Sequence, residues 1–250
     1  MTLEIQPCHF GVVFALAIES GGLEDLLSGL VRIRGHGFAA HEGGLKGRRV
    51  VIVRSGAGQT RVARATELLI DGHQPQVVIS AGFAGALCPT LKRHDIIFAN
   101  EVSDLKGQKI SLNQADRIFQ HSAAWPGLHV GKLLTLDHVV RRPSEKQALF
   151  QQHQALAVDM ETFAVAEVCR HRDVPFCAVR IILDAAEDQL PPYIERLLRQ
   201  ESKAARLGAA LALLWRRPAS LKDLWALKEN ALMASDKLAK FLEKLMDLSF

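Results

Sequence analysis

The sequence predicts an α/β domain on a central mixed, mainly parallel sheet, followed by a helical C-terminal extension. Three observations predict it. Short apolar runs recur along the first three quarters of the chain, solid rather than alternating, as in strands buried on both faces. Helical spacing fills intervals between these runs, the pattern of a sheet covered by helices. After Pro191-Pro192 the strand-like runs stop and only helical spacing remains. The expected boundaries are an α/β domain over residues 1–192 and an extension over 193–250 packed on it.

Phe10–Ala15 is the first apolar run, closed by Glu19, Ser20, Gly21 and Gly22. Its continuation to Ile18 is apolar enough to suggest a signal peptide. Glu4 stands where such a peptide is basic and no cleavage site follows, so the segment reads as a core strand. Gly43, Gly44 and Gly47 punctuate a hairpin leading into the strand Arg49–Arg54. Ser55-Gly56-Ala57-Gly58 is a tight turn, and Val62, Ala65, Leu68 and Leu69 give helical spacing over Arg61–Asp71. Gln76–Ser80 is a strand running into Ala81-Gly82-Phe83-Ala84-Gly85. Further strands are expected at Asp95–Ala99, Val130–Leu134, Ala155–Asp159 and Pro175–Leu183, with a helix at Glu161–Arg172. Helices are expected at Tyr193–Trp215, stopped by Pro218, and at Leu221–Met246. The second has one apolar stripe, through Leu224, Leu238, Phe241, Leu242 and Leu245 among others. Packing on the sheet is the expected use of that stripe, with a membrane or partner contact as the alternative.

Composition excludes several classes. Apolar residues make up 48% and charged residues 23%, ordinary for a globular protein and far from disorder. No apolar run approaches the roughly 20 residues of a membrane-spanning helix. The formal charge of +4 comes from the tail. From Arg196 onward there are 11 basic and 6 acidic residues, whereas Met1–Glu195 holds 20 basic and 21 acidic. A nucleic-acid binder would carry a basic stripe over its working domain. Cys8, Cys88, Cys169 and Cys177 form no C-x-x-C pair, and no histidine falls at zinc-ligand spacing, so buried reduced thiols and no metal are expected.

Ligands of α/β sheets gather at the carboxyl ends of strands, and three acids fall there. Glu19 follows the first strand, Glu161 begins a helix directly after Ala155–Asp159, and Asp184 ends Pro175–Leu183. Each alone has a plain explanation: Glu161 suits a helix N-terminus and Asp184 suits a turn cap. The two glycine turns at Ser55–Gly58 and Ala81–Gly85 belong to the same edge, where backbone N–H groups can meet a polar ligand.

Val158-Asp159-Met160-Glu161, then Val174-Pro175-Phe176, then Arg180 and Asp184 four residues apart, resemble the nucleoside phosphorylase and nucleosidase superfamily. Ser55–Gly58, Ala81–Gly85, Pro89-Thr90-Leu91 and Asp95-Ile96 extend the resemblance over roughly residues 10–188. It implies a three-layer α/β/α phosphorylase-like fold, no cofactor, and a cytoplasmic homodimer acting on a small purine nucleoside. Glu19 resembles the branch that cleaves methylthioadenosine and S-adenosylhomocysteine, in nucleoside metabolism and methionine salvage.

The roles implied are chemically coherent. Cleaving a ribose–purine bond builds positive charge on the sugar and negative charge on the base. Asp184 would act as general acid toward adenine N7. Glu161 would bind the ribose hydroxyls and stabilise the cationic sugar, with Met160 packed against the ribose. Glu19 would activate water and Arg180 would hold the polar network, giving Glu19, Asp184 and Arg180 as catalytic residues. Asp159, Phe83, Ala57, Gly82, Val139 and Val140 complete the expected binding set. A carboxylate at Glu19 disfavours a phosphate dianion, which favours hydrolysis; Arg54 is the residue that could instead serve phosphate.

The resemblance also carries departures. The nucleosidase pattern has serine where this chain has Phe83 and Leu183, and the segment Asn100–Leu128, which would close the 5′ pocket, is shorter than the family's. A second branch, the hopanoid-associated phosphorylases acting on adenosylhopane, is similar at Val158–Thr162, Ser144-Glu145-Lys146, Leu190-Pro191-Pro192 and Arg216-Arg217-Pro218. A lipid substrate would suit a basic, apolar-striped tail at a membrane surface. Phosphate-dependent purine nucleoside cleavage and non-catalytic nucleoside binding are the remaining alternatives.

Overall fold

The computed structural model describes residues 7–35, 38–112, 125–192, 194 and 220–248. The first apolar run forms β1 (Phe10–Phe14), buried at all five positions. Burial on both faces requires strands on each side and helices above and below. β1 pairs in parallel with β4 (Arg48–Arg54) on one side and β5 (Val77–Ala86) on the other. Beyond β4 the sheet continues antiparallel through β3 (Phe38–Leu45) to the edge strand β2 (Ser28–Gly35). The β3–β4 turn is the two-residue Lys46-Gly47, both at positive φ, the geometry that matches strand twist in hairpins.

β5 is the hinge of the architecture. It pairs in parallel with β10 (Phe176–Asp184) over most of its length, and its last residues pair antiparallel with β9 (Ala157–Asp159). β10 pairs antiparallel with β6 (Ile96–Ser103), β6 runs parallel to β8 (Leu128–Thr135), and β8 runs parallel to β9. The path β5-β10-β6-β8-β9 therefore returns to β5 as a closed ring of strands beside the open half of the sheet. A short β7 (Lys109–Ser111) folds back on β6.

Helices cover both faces. On one side α2 (Gln59–His73) and α4 (Thr162–His171) bury Val62, Ala65, Leu69, Phe163, Val165 and Cys169 in one core cluster. On the other, α1 (Ala17–Leu26) and α5 (Ser220–Asp247) contribute Leu23, Leu238, Phe241, Leu242 and Leu245 to a second. α3 (Pro143–His153) lies between β8 and β9 in the chain. All four cysteines are free and buried; burial pushes the Cys8 and Cys169 thiols up to about 12.

The expected three layers and central mixed sheet are present. Within residues 226–248, α5 packs on the sheet, the expected use of its apolar stripe. Ala234, Leu238, Leu242 and Leu245 are fully buried against the sheet, so this part of the apolar stripe is covered, while Leu232 and Met233 are exposed. The same residues hold four lysines and four acids, so the basic excess of the tail belongs to residues before them. No helix among the described residues is long and apolar enough to cross a membrane. The expected helix Tyr193–Trp215 lies outside the described residues, as does 113–124 of the segment expected to close the 5′ pocket.

Candidate active site

The parallel strands β1, β4, β5 and β10 bring their carboxyl ends to one edge, and the acids collect there. Glu19 sits in the first turn of α1, where a capping carboxylate meets free backbone N–H groups. Leu16 N–H donates to its Oε2 at 2.7 Å and Phe83 N–H donates to its Oε1 at 2.9 Å. Glu19 is buried, and burial raises its pKa against the lowering effect of those N–H groups and of Arg180. Gly82 is the reason it fits: a Cβ there would lie 2.8 Å from Glu19 Oε1.

Glu161 is the N-cap residue of α4 and reaches the other glycine turn. Gly58, at φ +110° in a region open to glycine, donates its N–H to Glu161 Oε1 at 2.9 Å. Burial first, then the neighbouring Asp159 carboxylate, pushes Glu161 up to about 8. Glu19 adds to that repulsion and Arg180 opposes it, so the three side chains feel one another across the site.

Asp159 and Arg180 are the buried scaffold beneath these acids. Arg180 Nε and Nη2 donate to Asp159 Oδ2 at 2.9 and 2.7 Å, and Nη2 also donates to Ser80 Oγ at 2.8 Å. Asp159 Oδ1 accepts from Thr135 Oγ1 at 2.7 Å, and Oδ2 accepts from Thr162 N–H and its hydroxyl. Both carboxylate oxygens are thus engaged by the protein. This corrects one expectation, since Asp159 fixes the start of α4 rather than facing a ligand; Arg180 holds the polar network through its bonds to Asp159 and Ser80. Arg180 reaches Glu19 by charge alone.

Asp184 ends β10 just past a register shift between Ile182 and Asp184 opposite Ala84 and Gly85. Such a bulge re-aims the side chain that follows it. Lys146 Nζ donates to Asp184 Oδ2 at 2.6 Å. Burial raises the Asp184 pKa, and the Lys146 ammonium pulls it back down. Lys146 lies in the Ser144-Glu145-Lys146 motif, but nothing in the sequence around it marks it as a partner of Asp184. α3 has almost no amphipathic pattern to mark an inward position; the signal available was Pro143 at a helix start.

The remaining expected residues scatter around this edge. Phe83, Ala57, Met160 and Val139 are half-buried, and Leu183 is half-buried beside Asp184. Val140 is buried in a small cluster with Leu87, Leu134 and Val158, which corrects its side chain from binding surface to core. Arg54, at the end of β4, is already occupied. Its Nη2 lies 2.6 Å from His41 Nε2 and its Nη1 3.7 Å from Glu24 Oε1, while His41 Nδ1 lies 2.8 Å from Glu24 Oε2. This is a closed triangle of one carboxylate, one guanidinium and one imidazole.

Comparison with known proteins identifies the family and the fold. The family model described as Phosphorylase superfamily matches residues 11–121 and 111–214. A 5′-methylthioadenosine/S-adenosylhomocysteine nucleosidase of Tolumonas auensis is 26% identical over 214 residues, covering 77% of this chain and 93% of that protein. The S-adenosylhomocysteine nucleosidase of Streptococcus pyogenes, solved with 5-methylthiotubericidin, superposes with a TM-score of 0.75 at 18% identity over 100% of both chains. The futalosine hydrolase of Helicobacter pylori superposes with a TM-score of 0.73 at 20% identity, over 97% of this chain and 98% of that one.

Proposed function

This chain belongs to the phosphorylase superfamily, and from that premise we propose that it hydrolyses the N-glycosidic bond of a 5′-substituted adenosine, releasing adenine. The relatives named nucleosidases support the substrate class, and the arrangement of charge around Glu19 supports water as the nucleophile. Glu19 is held by two backbone N–H groups at the sheet edge. Arg54, the cation best placed by sequence to hold phosphate, is bound to Glu24 and His41. A phosphate dianion there would meet carboxylates and find its arginine engaged, a costly arrangement in a dry site.

In the proposed reaction the C1′–N9 bond breaks and its electron pair moves into the adenine ring. Asp184 transfers its carboxyl proton to N7, and the oxygen of water bonds to C1′ and gives its proton to Glu19. Both carboxyl groups then exchange protons with solvent to reset. Glu161 accepts hydrogen bonds from the ribose hydroxyls. These donors and the cationic sugar both favour its ionised form, drawing down a group that burial holds high. Asp159 and Arg180 keep Glu161 in place through the start of α4.

The experiment is a side-by-side assay of methylthioadenosine, S-adenosylhomocysteine, inosine and a lipid-linked adenosine, with free base as the readout. The proposal expects adenine from the first two and little hypoxanthine from inosine. Preferred cleavage of inosine would overturn the base assignment, and cleavage of the lipid-linked adenosine alone would overturn the 5′-thio substrates.

A further inference from the structure

Lys146 is the single residue of α3 that is fully buried. A lysine without solvent is costly unless its charge is paired and its N–H groups are bonded. Here its Nζ donates to Asp184 Oδ2 at 2.6 Å, to the Ala185 carbonyl at 2.5 Å and to the Asp188 carbonyl at 3.1 Å. All three protons of the ammonium are used. The loop that supplies the two carbonyls is itself fixed: Ala185 N–H donates to Asp188 Oδ2 at 2.7 Å, and Arg93 Nε donates to the same oxygen at 2.8 Å. A buried ion pair adds little to stability compared with apolar residues of the same size, so fold stability alone does not account for a lysine here.

We propose that Lys146 is a positioning residue for the cleavage step, clamping Asp184 through Oδ2 so that Oδ1 is the oxygen that meets the base, and stabilising the carboxylate that proton transfer leaves behind. This rests on the hydrolysis proposed above. Among the described residues no hydrogen bond falls on Oδ1, while Oδ2 carries the ammonium. The charged groups facing Asp184 are Lys146 from α3, Asp188 from the loop after β10 and Arg93 from the turn before β6. Lys146 touches the carboxylate directly. When Asp184 loses its proton to N7, a negative charge appears beside a fixed positive one, so the ion pair is complete only after the proton has moved. That is an interaction stronger along the reaction than before it, the kind that raises turnover rather than binding.

The test uses Lys146→Met and Lys146→Gln in the full chain; the Gln variant keeps an amide donor toward the loop carbonyls should the Met variant not fold. With methylthioadenosine, both are expected to lose at least ~10-fold in kcat with KM within ~3-fold of wild type. The alkaline limb of the kcat profile should move up by at least ~1 pH unit, because the acid loses the cation that favours its ionised form. A second readout needs no substrate: the carboxyl carbon of Asp184, followed by NMR and assigned with Asp184→Asn, should titrate at higher pH in the Lys146 variants. Inflections that coincide with wild type, or a loss wholly in KM, overturn the assignment. A wild-type protein that releases no adenine while the inflection still moves supports the clamp of Lys146 on Asp184 and overturns the hydrolysis reading instead.

Discussion

Phe83 N–H donates to Glu19 Oε1 at 2.9 Å, tying the end of β5 to the first turn of α1 across 64 residues of sequence. The contact exists because position 82 has no side chain. A Cβ at Gly82 would sit 2.8 Å from the same oxygen, closer than side chains tolerate. Gly82→Ala is therefore expected to push Glu19 from its two N–H donors and lower kcat by at least ~10²-fold, the scale of a misplaced base. Circular dichroism should show an unchanged fold. Turnover near that of wild type would mean that Glu19 does not need this position.

Asp184 is expected to be the proton donor, so Asp184→Asn should lose at least ~10²-fold in kcat. The amide keeps the shape of the side chain and can still accept from Lys146, which separates loss of the proton from loss of packing. Steady-state adenine release measures it, and a loss smaller than ~5-fold would remove Asp184 from the role of acid.

Glu161 makes stability depend on pH in a defined direction. Its carboxyl is raised from 4.5 in the free residue to about 8 in the fold, so the folded state binds the proton more tightly than the unfolded chain. The stabilisation is present in full below about 4.5 and is lost as pH rises through about 8. Glu19 and Asp184 are shifted the same way. Thermal midpoints of wild type should fall between pH 5.5 and 8.5, and Glu161→Gln should fall less. Equal slopes for the two proteins would contradict the shift.

Asp159→Asn removes the charge that pairs with buried Arg180 while leaving an acceptor for Thr135. A buried cation without its partner costs about 3–5 kcal/mol, read from denaturant midpoints. A change below about 1 kcal/mol would place the worth of Arg180 in its bond to Ser80.

Much of the fold is legible in the sequence because buried parallel strands write themselves as solid apolar runs. β1, β4, β5 and β10 are found that way, and with them the edge that collects Glu19, Glu161 and Asp184. α1 is not legible in the sequence because Gly21 and Gly22 interrupt it; a Cβ at Gly22 would come within 2.8 Å of the Ser235 carbonyl, so α5 lies close against it. β2 does not stand out in the sequence because Val31 and Ile33 alternate with arginines on an exposed edge. Within the site, the motif residues reveal which acids matter but not which of their oxygens are already used. Asp159 and Arg180 satisfy each other across 21 residues, and Lys146 meets Asp184 across 38, pairings set by the return of β9 and β10 to β5. No local pattern in α3 records that its lysine points inward.

The most direct test of the central claim is the product of methylthioadenosine cleavage in phosphate-free buffer, compared with the same reaction in phosphate. Hydrolysis predicts equal rates of adenine release in the two buffers, with free methylthioribose as the sugar product in both. Release that requires phosphate and yields methylthioribose 1-phosphate would contradict it.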